Sequence, residues 1–218
     1  MDAILFDLDN TLINRDQAVH AFCETVVEDR RKDLGLASRR DLVQRLMDWD
    51  QHGYPGRAEW GRRVCACLGM QEDRFWREFE HQVPRLIPRD NRIVKQLQEL
   101  SGRVCVVIVT NGTARMQTAK LQAAGLQGIA RDVVISEAVG SWKPDSAIFE
   151  HALRAANSSA AKAWMVGDDP IRDMQAAAKL GFRTHWISMG RSFPSQLDSA
   201  DQTSPTIHEC LQALLSHT

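Results

Sequence analysis

The chain has 218 residues, of which 44% are hydrophobic and 25% charged, and its formal net charge is −1. This length permits one large domain or a core with a smaller partner, and the composition is ordinary for a globular protein. The near-zero charge excludes a strong electrostatic pull toward nucleic acid or an anionic membrane, so we expect neither as a partner. No apolar stretch approaches the ~20 residues that a membrane span needs. The five cysteines are an odd number, which predicts reduced thiols and a cytoplasmic protein.

The first predicted element is a strand over residues 3–8, an apolar run that leads into two acids. Asp7 and Asp9 are two residues apart, so the alternation of side chains along a strand would point both to the same side. Two carboxylates held that close repel each other unless a cation or a shared proton relieves them. The spacing therefore indicates a metal site.

The next long stretch, residues 16–83, carries only helical patterns. Four amphipathic stripes in it predict four helices, inserted between the first two strands as a bundle with its own small core. Residues 10–15 are the predicted outgoing linker. Residues 81–90 contain two prolines and are the predicted return linker.

Four further apolar runs alternate with helical stripes along the rest of the chain. They span residues 104–109, 133–136, 163–167 and 183–188. Continuous apolar runs suit strands buried on both faces, as in a parallel sheet. Strands alternating with helices predict a doubly wound, mostly parallel α/β sheet of the Rossmann-like kind, with right-handed crossovers. Residues 190–205 are polar and predicted to be irregular, and residues 206–216 predict a final short helix.

The predicted domains are an α/β core in residues 1–14 and 88–218 and an all-helical insertion in residues 15–87. The stretch "HGYPGR" interrupts the predicted helices with two glycines and a proline. It is either a loop that reads the substrate, with Arg15, Tyr54 and Arg57 as contacts, or an ordinary connection between helices.

Polar side chains follow the predicted strands at the end where doubly wound sheets bind ligands. They are Asp7, Asp9 and Thr11; Thr110, Asn111 and Gly112; Lys143; and Asp168, Asp169 and Asp173. Carboxylate oxygens suit Mg²⁺. A threonine followed by a glycine can cradle phosphate oxygens, and a lysine supplies a point charge for an anion. With metal and lysine offsetting the repulsion, a carboxylate can attack a phosphate, so the pattern predicts phosphoryl chemistry.

Four short motifs carry this pattern in order: "FDLDNT", "VTNG", the "KP" of "VGSWKPDSAIF", and "GDDPIRD". Together they resemble the motifs of the haloacid dehalogenase-like (HAD) hydrolase superfamily, in its phosphatase branch with a helical cap inserted after the first strand. The match spans the whole chain. The resemblance implies a Rossmann-like core, a helical cap, Mg²⁺ as the cofactor and a small phosphorylated metabolite as the substrate.

The resemblance implies catalytic roles for four residues. Asp7 would be the nucleophile that becomes phosphorylated. Asp9 would protonate the leaving group and later act as the base for water. Thr110 would hold the phosphoryl oxygens with the two residues that follow it, and Lys143 would anchor both Asp7 and the phosphate.

The resemblance also implies the metal ligands, which are Asp7, the main-chain carbonyl of Asp9, and Asp168. Asp173 would lie in or near the second coordination shell. Asp169 precedes a proline, so we expect it to cap the following helix, with any contact to metal-bound water secondary. Dehalogenases of this superfamily lack an acid at the position of Asp9, because breaking a carbon–halogen bond needs no protonated leaving group. An acid at that position therefore favours phosphate chemistry.

The predicted function is a Mg²⁺-dependent phosphatase that works through an aspartyl phosphate. A mutase-like phosphotransferase, which passes the phosphate to a second hydroxyl, is an alternative. So is a non-catalytic phospho-acceptor or partner-binding module. Receiver modules of that kind are short and uninterrupted and carry the acceptor on a middle strand, whereas Asp7 is on the first strand before a long insertion. The physiological substrate and the oligomeric state are not predicted.

Overall fold

The computed structural model describes residues 1–34, 39–54 and 56–217. The chain divides into two compact units, Met1–Ile13 with Arg89–Thr218 and Asn14–Pro88. Residues 35–38 of the predicted helical stretch and Pro55 of "HGYPGR" lie outside the described residues. Among the helices described, none combines the length and the apolar character required to cross a bilayer.

The unit Asn14–Pro88 is helical and has its own hydrophobic core. Its helices are α1 (Arg15–Leu34), α2 (Arg39–Asp50), α3 (Arg57–Leu68) and α4 (Glu72–Leu86), with a 3₁₀ turn at Gln51–Gly53. The ring of Phe22 lies edge-on to those of Phe75 and Phe79, with centroids 5.6 and 5.2 Å away. The Trp60 ring lies 5.4 Å from both Phe75 and Phe79. These edge-to-face contacts between three of the helices stabilise the unit beyond the burial of apolar area.

The other unit is built on one parallel sheet. Its strands among the described residues are β1 (Ala3–Phe6), β2 (Cys105–Thr110), β3 (Asp132–Ile135), β4 (Ala163–Gly167), β5 (Arg183–Ile187) and β6 (Gln202–Ser204). They lie in the order β3-β2-β1-β4-β5-β6, and every neighbouring pair is parallel. The prediction of a doubly wound parallel α/β fold is confirmed.

Helices connect and flank these strands. They are α5 (Asn91–Ser101), α6 (Ala114–Ala124), α7 (Ser136–Val139), α8 (Ser146–Ala156), α9 (Ala176–Lys179) and α10 (Ile207–His217), with a 3₁₀ turn at Ala160–Lys162 and a π-helical turn at Pro170–Gln175. Thr113 caps α6, because its side chain accepts a hydrogen bond from the N–H of Met116. Only three residues separate the end of β2 at Thr110 from the start of α6 at Ala114, so the first turns of the helix lie close to the strand end.

Strand β1 occupies the centre of the sheet because all of its side chains are apolar. Its four residues are 0% exposed, and successive side chains of a strand point to opposite faces. Ala3 and Leu5 pack in one core cluster with Phe149 of α8. An edge position would leave such side chains in water, at a cost of about 25 cal/mol per Å² of apolar surface.

The helix α4 runs through most of the predicted return linker, to Leu86. Pro84 lies inside the helix and removes one backbone hydrogen-bond donor, but it does not end the helix. The helix ends because of Pro88, since the residue before a proline disfavours the α-helical backbone conformation. Ile87 accordingly has φ −63° and ψ 120°, an extended conformation. The linker prediction was therefore wrong for residues 81–86.

One predicted strand and the prediction that residues 190–205 are irregular also need correction. β1 ends at Phe6 and not at residue 8, because the chain then folds into a tight turn in which the N–H groups of Leu12 and Ile13 both donate to the carbonyl of Leu8. Asp9 thus lies in a turn, and strand alternation does not orient it. In the stretch predicted to be irregular, β6 forms by pairing with β5. Its sequence Gln-Thr-Ser has no apolar run that could have predicted a strand.

Candidate active site

The carboxyl ends of β1, β2 and β4 come together at the centre of the sheet. Strand β1 pairs with β2 on one side and with β4 on the other, with Phe6 level with Ile108 and Val166. The chain order reverses between these two neighbours, which is the topological switch point where doubly wound sheets bind ligands. The N–H of Asp7 donates to the carbonyl of Val166 at 2.9 Å, so Asp7 is held beside the end of β4.

Asp7, Asp168 and Asp173 form a buried acidic cluster at this point. One carboxylate oxygen of each lies within 4.8 Å of the other two. The ammonium of Lys143 bridges two of them, at 2.5 Å from Asp7 Oδ1 and 2.6 Å from Asp173 Oδ1. The structure therefore brings together the predicted nucleophile, the predicted lysine and two of the predicted acids. Asp173 belongs to the cluster as closely as Asp168 does.

Burial dominates the electrostatics of this cluster. Desolvation raises the pKa of Asp7 to about 7, against the attraction of Lys143 and with added repulsion from Asp173. Desolvation also raises the pKa of Asp168 to about 7 and that of Asp173 to about 6. Burial lowers the pKa of Lys143, but the attraction of Asp173 and Asp7 outweighs it, so the net pKa is raised and the ammonium is retained. Carboxylates that are desolvated and repel one another favour a bound cation, because the cation stabilises their ionised form.

Asp9 has its own partners, which lie on α6. The ammonium of Lys120 contacts both of its carboxylate oxygens, at 2.8 Å for Oδ1 and 2.7 Å for Oδ2. The amide Nε2 of Gln117 lies 3.0 Å from Asp9 Oδ2 and also 2.6 Å from the hydroxyl of Thr110. Thr110 itself is 1% exposed at the end of β2. Asp9 and Thr110 are thus linked through α6, and neither carboxylate oxygen of Asp9 belongs to the acidic cluster.

The residues after Thr110 bind neighbouring loops. Asn111 makes two hydrogen bonds to the backbone of Lys143: its Nδ2 donates to the carbonyl at 2.9 Å, and its Oδ1 accepts from the N–H at 2.8 Å. The N–H of Gly112 donates to the hydroxyl of Ser136 at 2.9 Å. Asn111 therefore fixes the loop that carries the lysine. The predicted contact of Asn111 and Gly112 with phosphate stays a prediction.

The "GDDPIRD" segment is shaped by two of its acids. The carboxylate of Asp169 accepts from the N–H groups of Ile171 and Arg172, both at 2.8 Å, so the predicted N-cap is confirmed. The carboxylate of Asp173 turns back and accepts from the N–H of Asp169 at 3.1 Å. A Cβ at Gly167 would lie 2.3 Å from Asp173 Oδ2. Only glycine fits there while Asp173 keeps its place.

Among the described residues, sequence reasoning missed several side chains that contact the predicted ones. Besides Ser136, they include Gln117, Lys120, Trp186 and Arg191. Arg191 Nη2 lies 3.2 Å from Asp168 Oδ2, and Trp186 Nε1 donates to the carbonyl of Asp168 at 2.8 Å. The spacing of Gln117 and Lys120 was a usable signal, because residues three apart share one face of a helix. For Trp186 and Arg191 the sequence holds no comparable signal.

Arg15, Tyr54 and Arg57 belong to the helical unit. Arg15 donates two hydrogen bonds to the carboxylate of Asp50, at 2.6 and 2.8 Å. Arg57 pairs with Glu80 at 2.5 Å. The arginines therefore have partners inside their own unit, and their contact with a substrate stays a prediction, as does that of Tyr54.

The strand order and the site at the switch point of the sheet, three buried carboxylates with a lysine, define a class of doubly wound α/β proteins with an acidic site suited to a cation. The model of the haloacid dehalogenase-like hydrolases matches residues 1–181. The chain belongs to this family.

Curated relatives agree with this membership, and a solved structure shares the fold. The chain is 31% identical to the pyrimidine 5'-nucleotidase YjjG of Escherichia coli (strain K12), with 99% of each chain covered. It is 35% identical to the ribulose-1,5-bisphosphate 5-phosphatase of Halopiger xanaduensis, over 84% of this chain and 82% of that one. The magnesium-bound structure of the HAD hydrolase YfnB from Bacillus subtilis has a TM-score of 0.80 at 19% identity, with 98% of each chain covered.

Proposed function

We propose that the protein is a Mg²⁺-dependent phosphatase that hydrolyses a small phosphorylated metabolite through an aspartyl phosphate on Asp7. The observation that carries this proposal is the position of Asp7: a buried carboxylate at the switch point, 2.5 Å from a buried lysine and grouped with Asp168 and Asp173. The two curated relatives described above are named for the hydrolysis of phosphate esters, one of a nucleotide and one of a sugar bisphosphate. The substrate class that we propose is accordingly a small phosphate monoester.

The acidic cluster is chemically suited to Mg²⁺, because one oxygen of each of its three carboxylates lies within 4.8 Å of the others and because burial, with added repulsion between the carboxylates, disfavours their ionised form in the absence of a cation. In our proposal Asp7, Asp168 and the main-chain carbonyl of Asp9 hold the ion, with Asp173 beside them. When bound, the ion supplies positive charge that lowers the repulsion between the Asp7 carboxylate and the phosphoryl oxygens.

The proposed reaction has two steps, both centred on Asp7. A carboxylate oxygen of Asp7 attacks phosphorus, the bond from phosphorus to the ester oxygen breaks, and Asp9 gives its proton to the leaving oxygen. Water then attacks the phosphorus, Asp9 takes a proton from it, and the bond to Asp7 breaks to release phosphate. Lys143 offsets the negative charge that builds up on Asp7 and the phosphoryl group, and the hydroxyl of Thr110 binds a phosphoryl oxygen. We further propose that the helical insertion, residues 15–87, serves as the cap domain of this core.

The test is an assay with p-nitrophenyl phosphate and with a panel of nucleoside monophosphates and sugar phosphates, in Mg²⁺ and in EDTA. We expect phosphate release in Mg²⁺, none in EDTA, and a loss of at least about 10³-fold in Asp7→Asn, since that substitution removes the nucleophile. Asp2→Asn is the matched control, because Asp2 is an exposed acid just before the same strand. Full activity of Asp7→Asn, or full activity in EDTA, would refute the proposal. Transfer of phosphate to a second substrate hydroxyl instead of water would favour the phosphotransferase.

A further inference from the structure

One face of α6 presents two polar side chains to the centre of the site. Lys120 contacts both carboxylate oxygens of Asp9, and Gln117 contacts one of them together with the hydroxyl of Thr110. The four side chains form one hydrogen-bonded unit, called here the α6 clamp. It joins the predicted acid and base to the predicted phosphate ligand.

The α6 clamp contains a charged pair that is largely buried, and burying charges costs free energy. The side chain of Lys120 is 4% exposed and that of Asp9 is 21% exposed. A buried ion pair is often no more stable than apolar side chains of similar volume, so stability alone does not explain a lysine at this position. Lys120 lies on a helix whose other buried positions include Met116 and Leu121, and an apolar residue would have fitted the same face.

The backbone next to β2 leaves room for Gln117. Gly112 has a φ of +149°, and a Cβ built on it would lie 2.9 Å from the Gln117 Cδ and 3.0 Å from its Oε1. A side chain at position 112 would push the amide of Gln117 away from Thr110 and Asp9. The close approach of this glycine is a second observation, independent of the lysine, that the geometry of the clamp is maintained by the surrounding chain.

We propose that Gln117 and Lys120 are positioning residues for the proton transfers made by Asp9. This inference rests on the proposed function. The clamp keeps the carboxylate of Asp9 in one orientation relative to the hydroxyl of Thr110, and hence relative to a phosphoryl group bound there. The ammonium of Lys120 contacts both carboxylate oxygens of Asp9. It therefore stays hydrogen-bonded to one oxygen while the other gives its proton to the ester oxygen or takes a proton from water. Lys143 has a separate task, since it contacts Asp7 and Asp173.

The expected signature is sensitivity to the leaving group. Phenoxide needs a proton as it departs far more than p-nitrophenoxide does, while the two esters have similar size and the same phosphate. Losing the position of the acid should therefore slow phenyl phosphate more than p-nitrophenyl phosphate. A defect in phosphate binding or in folding would slow both alike.

The experiment measures kcat and KM in Mg²⁺ for both esters with the wild-type chain and with Lys120→Met, Lys120→Arg and Gln117→Leu. We expect Lys120→Met to lower kcat/KM for phenyl phosphate about 10-fold more than for p-nitrophenyl phosphate, mainly through kcat, as fits partial loss of general acid catalysis. Lys120→Arg should recover part of that difference, because it keeps a donor for the carboxylate. Arg115→Met is the matched control: it removes an exposed cation from the same helix and should leave the ratio of the two esters unchanged.

Each outcome decides between the proposals. Equal losses for the two esters in Lys120→Met and Gln117→Leu, with an active wild type, would overturn the clamp and leave the proposed phosphatase standing. If Lys120→Met does not fold, as shown by thermal unfolding, the ratio for Gln117→Leu carries the decision. A wild-type chain that hydrolyses no phosphate ester of the panel would overturn the proposed function and the clamp together.

Discussion

At the scale of single residues, the structure shows how a chain tolerates two acids two positions apart at the end of a buried strand. Each acid has a lysine of its own: Lys143 for Asp7 and Lys120 for Asp9. The repulsion from Asp9 is the smallest of the contributions to the raised pKa of Asp7. The sequence argument was that these two carboxylates need a metal to relieve their repulsion. In the structure each of them contacts a lysine, and a metal at this point stays a proposal.

The glycine at position 167 permits the arrangement of Asp173. We expect Gly167→Ala to abolish most of the activity and to lower stability by about 1–3 kcal/mol, the usual cost of overpacking, because its Cβ would lie 2.3 Å from Asp173 Oδ2. Thermal unfolding and the phosphatase assay check this. Gly102→Ala is the control, since its nearest contact is 3.4 Å away. A fully active Gly167→Ala would show that Asp173 can move without harm.

At the scale of elements, strand β5 carries a buried histidine. The ring Nε2 of His185 lies 2.8 Å from the Ser204 hydroxyl of β6, and within the described residues Nδ1 has no hydrogen-bond partner. Desolvation lowers the pKa of His185 from 6.5 to about 4. A neutral imidazole between these strands is thus part of the native packing.

This histidine makes stability depend on pH. Between about pH 6.5 and 4 the unfolded chain protonates this histidine and the folded chain does not, so the contribution of His185 to the free energy of unfolding falls as the pH falls through that window. The acids of the cluster, whose pKa values are raised to about 6–7, contribute in the opposite direction. We expect the free energy of unfolding of His185→Gln, relative to that of the wild type, to rise as the pH falls over this range, measured by urea unfolding at several pH values. His217→Gln, which changes an exposed histidine on α10, should behave as the wild type. Identical slopes for His185→Gln and the wild type would contradict the assignment.

The helical unit depends on its aromatic cluster. Phe75 is 0% exposed and its ring contacts those of Phe22 and Trp60. We expect Phe75→Ala to destabilise this unit by about 3–5 kcal/mol, the usual cost of deleting a buried phenyl ring. Urea unfolding followed by tryptophan fluorescence measures it. Arg74→Ala, an exposed change on the same helix, should have little effect. A shift of less than about 1 kcal/mol for Phe75→Ala would mean that the cluster adapts to the loss.

At the scale of the whole molecule, metal binding should couple to folding. An ion that binds only the folded chain stabilises it by about 2.7 kcal/mol at 100 times its dissociation constant. We therefore expect Mg²⁺ to raise the melting temperature of the full chain, and EDTA to reverse the rise. Asp168→Asn should lose most of the response, and Asp2→Asn should keep it. An equal response in Asp168→Asn and the wild type would place the ion elsewhere.

The sequence by itself determined the parallel α/β class, the helical character of the insertion, the capping role of Asp169 and the set of strand-end residues proposed for the site. These follow from short-range rules, because periodicity, caps and proline act over a few neighbouring residues. The same rules failed at α4 and β6. In α4, the helix continues past Pro84, whose side chain is buried with that of Val83. In β6, pairing with β5 made a strand out of three residues without an apolar run.

The resemblance to the HAD hydrolases implied that Lys143 pairs with Asp7, and only the tertiary structure decided which charges face the other carboxylates. Lys143 lies 136 positions from Asp7, and Lys120 lies 111 positions from Asp9. Arg191 reaches Asp168 from beyond β5. Such pairs depend on where each crossover returns its helix or loop to the sheet, and that is set by packing of the whole core. Patterns of neighbouring residues do not indicate this packing. For that reason the acids of the site could be predicted from the sequence and most of their partners could not.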